Sequence, residues 1–248
     1  MVGFVKEVAV ARKKKSERGL RAWFRRIRRK AMRWVWRIFL VVMAIVTLAV
    51  LAFRFIDPPL TYLILTEERR LGSISQQWVP IEEIAPVVAR SVVAAEDANF
   101  CLHWGFDMAA IRTAVESGAE RGASTITQQV VKNVYLWPAR RWDRKAIEAL
   151  VTPVVELVWP KKRIVEVYLN VAEFGEGVFG IEAAATTYFN VKARDLNAEQ
   201  AALLAAVLPN PKARSVKNPT SFVAERARSI IDGAATIKAD GRSSCFED

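Results

Sequence analysis

The sequence predicts a mainly α-helical protein: one transmembrane helix, then a helical domain. Three observations carry this reading. Residues 38–53 (IFLVVMAIVTLAVLAF) form a 16-residue run whose only polar side chain is Thr47, bracketed by Arg37 and Arg54. Downstream, apolar residues recur with a 3.6-residue period in segments that open at Ser, Asp or Asn and stop at Pro or Gly. No run of alternating apolar and polar residues announces a sheet.

Sixteen residues fall slightly short of the roughly 20 that span a hydrocarbon core, but Trp34, Val35, Trp36, Phe55 and Ile56 extend the run. The flanking arginines can keep their charged heads at the interface while their stems lie in apolar surroundings. The 248-residue chain carries a net charge of +11, which invites a nucleic-acid reading. Position removes it. Residues 1–37 hold 14 Lys and Arg against 2 Glu, and the remaining 211 residues hold 23 basic and 24 acidic side chains. The domains are therefore a basic arm over 1–33, a membrane span over 34–56 and a body over 57–248. Basic flanks stay on the cytoplasmic side, so the body is expected outside the cytoplasmic membrane and the arm on anionic membrane lipids. Nucleic acid is not an expected partner.

Hydrophobic residues make up 52% of the chain, too many for a disordered protein. Cys101 and Cys245 could pair on an oxidising side of the membrane, but free thiols are the expectation, because a body of this size holds its core without a staple. A single histidine, His103, excludes a histidine-rich zinc site, and its expected role is packing or hydrogen bonding.

In chain order, the body predicts a helix over 86–98 opening on Pro86 and a second over 107–119 capped by Asp107 and stopping before Gly122. A third over 124–135 is capped by Ser124, and a fourth over 141–159 is ended by Pro160. A short helix follows over 161–170, then a glycine-rich loop over 174–180. Asn197 and Gln200 fit a capping box for a helix running to Leu208 and stopped by Pro209, and 220–238 closes the chain.

Four clusters carry chemistry. At 96–105 an apolar helix delivers adjacent carboxylates, Glu96 and Asp97, to its polar end; a carboxyl group against an apolar wall is tuned toward neutral pH, although two acids at a helix end also serve as simple solubilising groups. At 122–129 the hydroxyl of Ser124, the amide of Gln128 and the ammonium of Lys132 fall on one stripe at a helix N-terminus, an arrangement that suits a phosphate and is also shared by ordinary capped helices. At 140–148 Arg144, Lys145 and Glu148 share a helix face, and four basic residues in six positions favour an anionic ligand over surface pairs of about 0.2–0.5 kcal/mol. At 161–170 the apolar positions read as core, and Tyr168 and Asn170 read as a lock on the following loop.

In this order and spacing the clusters resemble the signatures of the family 51 glycosyltransferases, the peptidoglycan polymerases. E-D-x-x-F-x-x-H-x-G stands at 96–105, G-[GA]-S-T-[IL]-[TS]-Q-Q at 122–129, R-K-x-x-E at 144–148 and K-x-x-I-x-E-x-Y-L-N at 161–170. Every specified position matches, and four motifs in register over 75 residues exclude coincidence. The segments 170–175 and 208–211 look most like the monofunctional biosynthetic transglycosylases, and no S-x-x-K or K-T-G of a transpeptidase occurs.

The resemblance implies a lysozyme-like domain with a head lobe and a membrane-dipping jaw lobe. It implies polymerisation of lipid II into β-1,4-linked strands by a single inverting displacement that releases undecaprenyl pyrophosphate. Carried over, Glu96 is the general base and Glu148 acts at the pyrophosphate, directly or through a divalent cation, Mg or Mn. Lys132, Arg140, Arg144 and Lys145 neutralise phosphates, and Asp97, Ser124, Thr125, Gln128 and Gln129 line sugar and phosphate subsites. The partners implied are lipid II, the growing glycan chain and proteins of cell-wall elongation or division. The alternatives are a lysozyme-like lytic enzyme and an inactive membrane-anchored scaffold.

Overall fold

A computed structural model of the chain describes residues 2–118, 124–139 and 141–247, with side chains at Trp23 and from residue 26 onward. Gly122 and Arg140, both named above, lie outside the described residues. Two units result, Met1–Leu51 and Ala52–Asp248. The first consists of helix α1 (Val2–Phe53), which runs through the basic arm as well as the apolar segment. Its portion Arg26–Phe53 is long and apolar enough to cross a membrane. Ile38, Leu40, Val41 and Ile45 stand exposed, the opposite of a helix built for a soluble core.

The second unit is built from helices α2 (Tyr62–Leu71), α3 (Pro86–Glu96), α4 (Met108–Glu116), α5 (Ile126–Tyr135), α6 (Trp142–Val158), α7 (Lys161–Val171), α8 (Ile181–Phe189), α9 (Ala198–Val207), α10 (Ser221–Ala239) and α11 (Ser244–Glu247). The mainly helical expectation holds. Two packed groups form the core. In one, α3 lies against α9 and α10, burying Val88, Val92, Leu204, Val207, Ile230 and Ile237; in the other, α5 lies against α6 and α7, burying Ile126, Val130, Val155, Ile164 and Leu169. Each such side chain stabilises the fold by roughly 1.5–3 kcal/mol.

The caps explain the boundaries. Asp107 accepts from the Ala110 N–H and starts α4 as expected, but α4 ends at Glu116, with Gly118 at φ +76° beyond it. Thr125, not Ser124, caps α5, because its hydroxyl and the Gln128 side chain exchange hydrogen bonds with each other's backbone. The capping box of Asn197 and Gln200 starts α9 as the sequence suggests, and the closing helix expected over 220–238 is α10, capped by Thr220. Helix α6 continues through Pro153 to Val158.

The segment expected as a loop over 174–180 is part of a small sheet. Strands β2 (Glu173–Gly175) and β3 (Val178–Phe179) pair antiparallel, and β1 (Ser75–Gln76) joins β3 in parallel. Gly177, at φ +72°, makes the tight reversal that lets so short a hairpin close. Strands of two or three residues leave no alternation to read. Asn170 fixes the sheet to the helices: it accepts from the Val79 N–H and donates to the Val79 carbonyl, both at 2.9 Å.

The expectation of free thiols is overturned. Cys101 and Cys245 form a disulfide, their Cα atoms 5.7 Å apart and 144 residues apart in sequence. Core size was the wrong criterion, because the stretch between α3 and α4 has only the single 3-10 turn Phe100–Leu102 and needs local anchoring. The bond supplies it together with Phe246 against Phe100, the Arg90–Glu247 ion pair at 2.7 Å and Arg242 donating to the Ala98 carbonyl at 2.9 Å. We expect paired Cys101→Ser and Cys245→Ser replacement, or reduction of the wild type, to cost about 2–5 kcal/mol in denaturant unfolding. An unchanged midpoint would deny the bond this role.

Candidate active site

Helix α3 brings Glu96 to its C-terminal end against α5 and α10. The carboxylate is nearly buried, 11% exposed, and its Oε2 accepts from the Gln129 side-chain amide at 2.9 Å. The Tyr168 hydroxyl donates to the other end of that amide at 3.3 Å, so Gln129 is oriented from behind. Burial holds the Glu96 pKa above the usual carboxylate range, opposed by the Gln129 hydrogen bond and the positive charges of Arg226, Lys132 and Arg214.

Asp97, one residue on, turns the other way. Its Oδ1 bonds the His103 Nε2 at 2.8 Å and its Oδ2 accepts from the Ile126 N–H at 3.0 Å, with the side chain 2% exposed. The implied substrate role is therefore replaced by a structural one: Asp97 ties the end of α3 to the start of α5. Thr125 is likewise committed inward, donating to the Gly105 carbonyl at 2.7 Å while capping α5. Gly105 sits at φ +79°, and a Cβ there would stand 2.6 Å from the Thr152 side chain. His103 has the expected packing role, with its ring edge-on to Phe100 and its carbonyl accepting from Lys161 at 2.8 Å.

A cavity of about 520 Å³ is lined by Gln129, the residue bonded to Glu96, while Glu96 itself stands behind Gln129 and is not part of the lining. Ser124, Gln128, Gln129 and Lys132 line one wall, Arg144, Lys145 and Glu148 another, and Leu63, Leu136 and Pro138 add apolar surface. The polar stripe of α5 and the basic face of α6 thus meet across one space. Glu148 is 2% exposed; Arg144 Nη1 donates to its Oε2 at 2.6 Å, and Lys145 Nζ donates to its Oε1 and to Ser124 Oγ, the latter at 3.3 Å. Arg144 is further fixed by the Ala139 carbonyl at 2.5 Å. Lys132 has no ion pair among the described residues, and burial lowers its pKa, with Glu148 opposing.

Two expectations change here. The N–H groups of Ile126 and Gln128, at the start of α5, are already bound by Asp97 and Thr125, so side-chain cations are the main donors the cavity offers an anion. Nor does Glu148 offer a divalent cation a seat: both its oxygens accept from basic side chains, and no second carboxylate lines the cavity among the described residues. Asp97, His103 and Asp107 do cluster within 4.8 Å. Each of the four carboxylate oxygens there already accepts a hydrogen bond, from His103, Ile126, Ala110 or Asn99, which makes the cluster a packing knot.

Sequence reasoning missed Arg226 and Arg214. The signal for Arg226 was present, since it lies three residues after Val223 and four before Ile230, beside the buried stripe of α10. Arg214 comes from the loop before α10 and stacks on Phe222 at 5.2 Å, a placement no local pattern announces.

A lysozyme-like helical domain with a buried glutamate beside a basic cavity defines a glycosyl-transferring or glycosyl-cleaving class. The comparisons resolve which. A family model described as Transglycosylase matches residues 65–235. A biosynthetic peptidoglycan transglycosylase of Jannaschia sp. (strain CCS1) is 58% identical over 214 residues, covering 86% of this chain and 90% of the relative. One from Caulobacter vibrioides is 42% identical over 223 residues, covering 88% and 97%, and one from Bdellovibrio bacteriovorus is 47% identical over 196 residues, covering 75% and 78%. The chain belongs to the transglycosylase family, among the biosynthetic peptidoglycan transglycosylases, and is a peptidoglycan glycosyltransferase.

The geometry yields a stability prediction separate from chemistry. Asp97→Ala leaves the buried His103 and Ile126 donors unpaired, so unfolding free energy should fall by about 2–4 kcal/mol. Wild-type stability in that variant would show that the tie carries no weight.

Proposed function

We propose that this enzyme polymerises lipid II, with Glu96 as general base. The single observation that carries the reading is the pairing of a buried, amide-oriented Glu96 with an adjoining cavity whose Lys132, Arg144 and Lys145 suit a pyrophosphate. The growing glycan, attached through C1 to undecaprenyl pyrophosphate, is the donor, and the 4-hydroxyl of the lipid II GlcNAc is the acceptor. The hydroxyl proton passes to Glu96 as the oxygen bonds to C1, while the C1–O bond to the pyrophosphate breaks with inversion. The leaving charge falls to Lys132, Arg144 and Lys145, joined in the family pattern by Arg140. Glu148 keeps Arg144 and Lys145 extended, and such preorganised charge is what the developing anion requires. Ser124, Gln128 and Gln129 contact the sugar and phosphates.

A lytic enzyme expels a sugar hydroxyl and has no pyrophosphate to neutralise, so this concentration of basic groups favours synthesis. A divalent cation, Mg or Mn, belongs to the family expectation, but with Glu148 doubly occupied no step is assigned to it. The apolar Leu63, Leu136 and Pro138 are suited to the first isoprene units.

Residues 34–56 are assigned to the inner membrane as a single pass, 1–33 to the cytoplasm and 57–248 to the periplasm. The disulfide supports an oxidising compartment for the body, and the basic arm supports the orientation. Both substrates are lipid-bound, so tethering confines enzyme and substrate to one surface.

In a lipid II polymerisation assay on the membrane-extracted protein, Glu96→Gln should abolish glycan strands while leaving the thermal midpoint in place. Wild-type polymerisation by that variant would reject Glu96 as the base. Because the base acts deprotonated and its pKa is raised, wild-type turnover should fall as pH drops through a limb above the ordinary carboxylate range. Lys145→Met should lower turnover by roughly 10²–10³-fold, the usual loss on removing a preorganised charge-stabilising donor.

A further inference from the structure

We propose that Arg226, on α10 and outside all four sequence motifs, is the positioning residue for Glu96. The inference rests on the reading of Glu96 as general base and deepens it. Arg226 Nη2 donates to the Ala95 carbonyl at 3.2 Å and stands 3.7 Å from Glu96 Oε1. Gln129 holds the opposite oxygen, Oε2. The carboxylate is therefore gripped between two elements, an amide from α5 on one side and a guanidinium from α10 on the other. The backbone bond to Ala95 fixes the guanidinium to the same helix turn that carries Glu96, so charge and carboxylate move together.

The packing of α10 is arranged for this approach. Gly233 lies seven residues after Arg226, two turns along the same face, and a Cβ there would meet the Ala94 Cβ at 3.2 Å. Glycine at that crossing lets α10 and α3 close up beside Glu96. Arg226 also leaves its Nε buried without a hydrogen-bond partner among the described residues.

The charged and titratable groups around Glu96 come from four directions: Lys132 of α5 beside Gln129, Arg214 of the loop before α10, Tyr168 of α7 and Arg226 itself. Lys132 also faces Glu148 across the cavity, and Arg214 is bound to the Ala206 carbonyl at 3.0 Å. Arg226 alone among them both touches the helix turn of Glu96 and stands in ion-pair range of its carboxylate. Its loss withdraws a positive charge that favours the ionised form, so the base should require a higher pH to deprotonate.

The test uses the full chain in detergent with lipid II as substrate, measuring kcat and KM from about pH 5.5 to 8.5. Arg226→Gln should lower kcat at neutral pH by roughly tenfold with KM nearly unchanged, and should move the acidic limb to higher pH so that the deficit narrows as pH rises. Arg226→Lys, which keeps the charge, should return the limb toward its wild-type position. A deficit that stays constant across the pH range, or a wild-type profile, overturns the proposal. Where Arg226→Gln fails to fold, Arg226→Met takes its place in the same assay: an acidic limb moved to higher pH with KM nearly unchanged supports the proposal, and a wild-type profile overturns it. Glu96→Gln run in parallel separates the two readings. Wild-type turnover in that variant removes the base itself, whereas an inactive Glu96→Gln beside an unaffected Arg226→Gln removes only the positioning role.

Discussion

The geometry of the site depends on one buried carboxylate, that of Asp97, whose two oxygens are both bonded inside the protein. Asp97 joins the last turn of α3 to the first turn of α5 through two hydrogen bonds, to His103 and to the Ile126 N–H. The adjacent Glu96 is thereby turned toward Gln129 and Lys132, which stand on the helix whose first N–H Asp97 binds. Fixing the start of α5 by a side chain from the end of α3 sets both rotation and height, the two variables that decide which α5 residues face Glu96. The surrounding stretch is over-determined in consequence. Lys161 bridges the His103 carbonyl and Glu156, Thr127 bonds Glu156 at 2.5 Å, and Thr125 reaches back to Gly105.

The second organising choice concerns where positive charge is supplied. A helix N-terminus is a ready anion site, yet here its amides are occupied by Asp97 and Thr125, and the basic groups come from the sides of α5 and α6. Side-chain cations reach into a wide cavity in a way that backbone donors cannot. The cost is that like charges crowd together, and Glu148 offsets it by binding Arg144 and Lys145 at once. Taking one partner from such a buried set leaves the others uncompensated, so the group is best regarded as a unit.

Much of this was legible in the sequence, and what was not has identifiable physical causes. Helices with strong capping signals, such as α9 with Asn197 and Gln200, were readable to within a residue or two. The faces of α5 and α6 were readable because helical spacing fixes which residues neighbour one another, and Ser124, Gln128, Lys132, Arg144, Lys145 and Glu148 do meet at one cavity. Asp97 was misjudged because sequence shows that two acids are adjacent but not that residues at a helix end point in different directions. The small sheet escaped because β2 and β3 are too short for a period to show. The Arg226–Glu96 pair and the disulfide share a further cause: each joins residues more than a hundred positions apart, and although the helix pattern of α10 places Arg226 beside a buried stripe, only the tertiary fold shows what it faces.

That last separation imposes an order on the making of the protein. The bond that anchors the stretch beside Glu96 cannot close until 144 further residues have been added. At about 5–20 residues per second that is a delay of roughly 7–30 s after Cys101 is made. During it Glu96 and its neighbours have α5 and α7 to pack against before α11 exists. Cys101 meanwhile remains an unpaired thiol, open to the wrong partner wherever oxidising conditions are met before synthesis of Cys245 is complete.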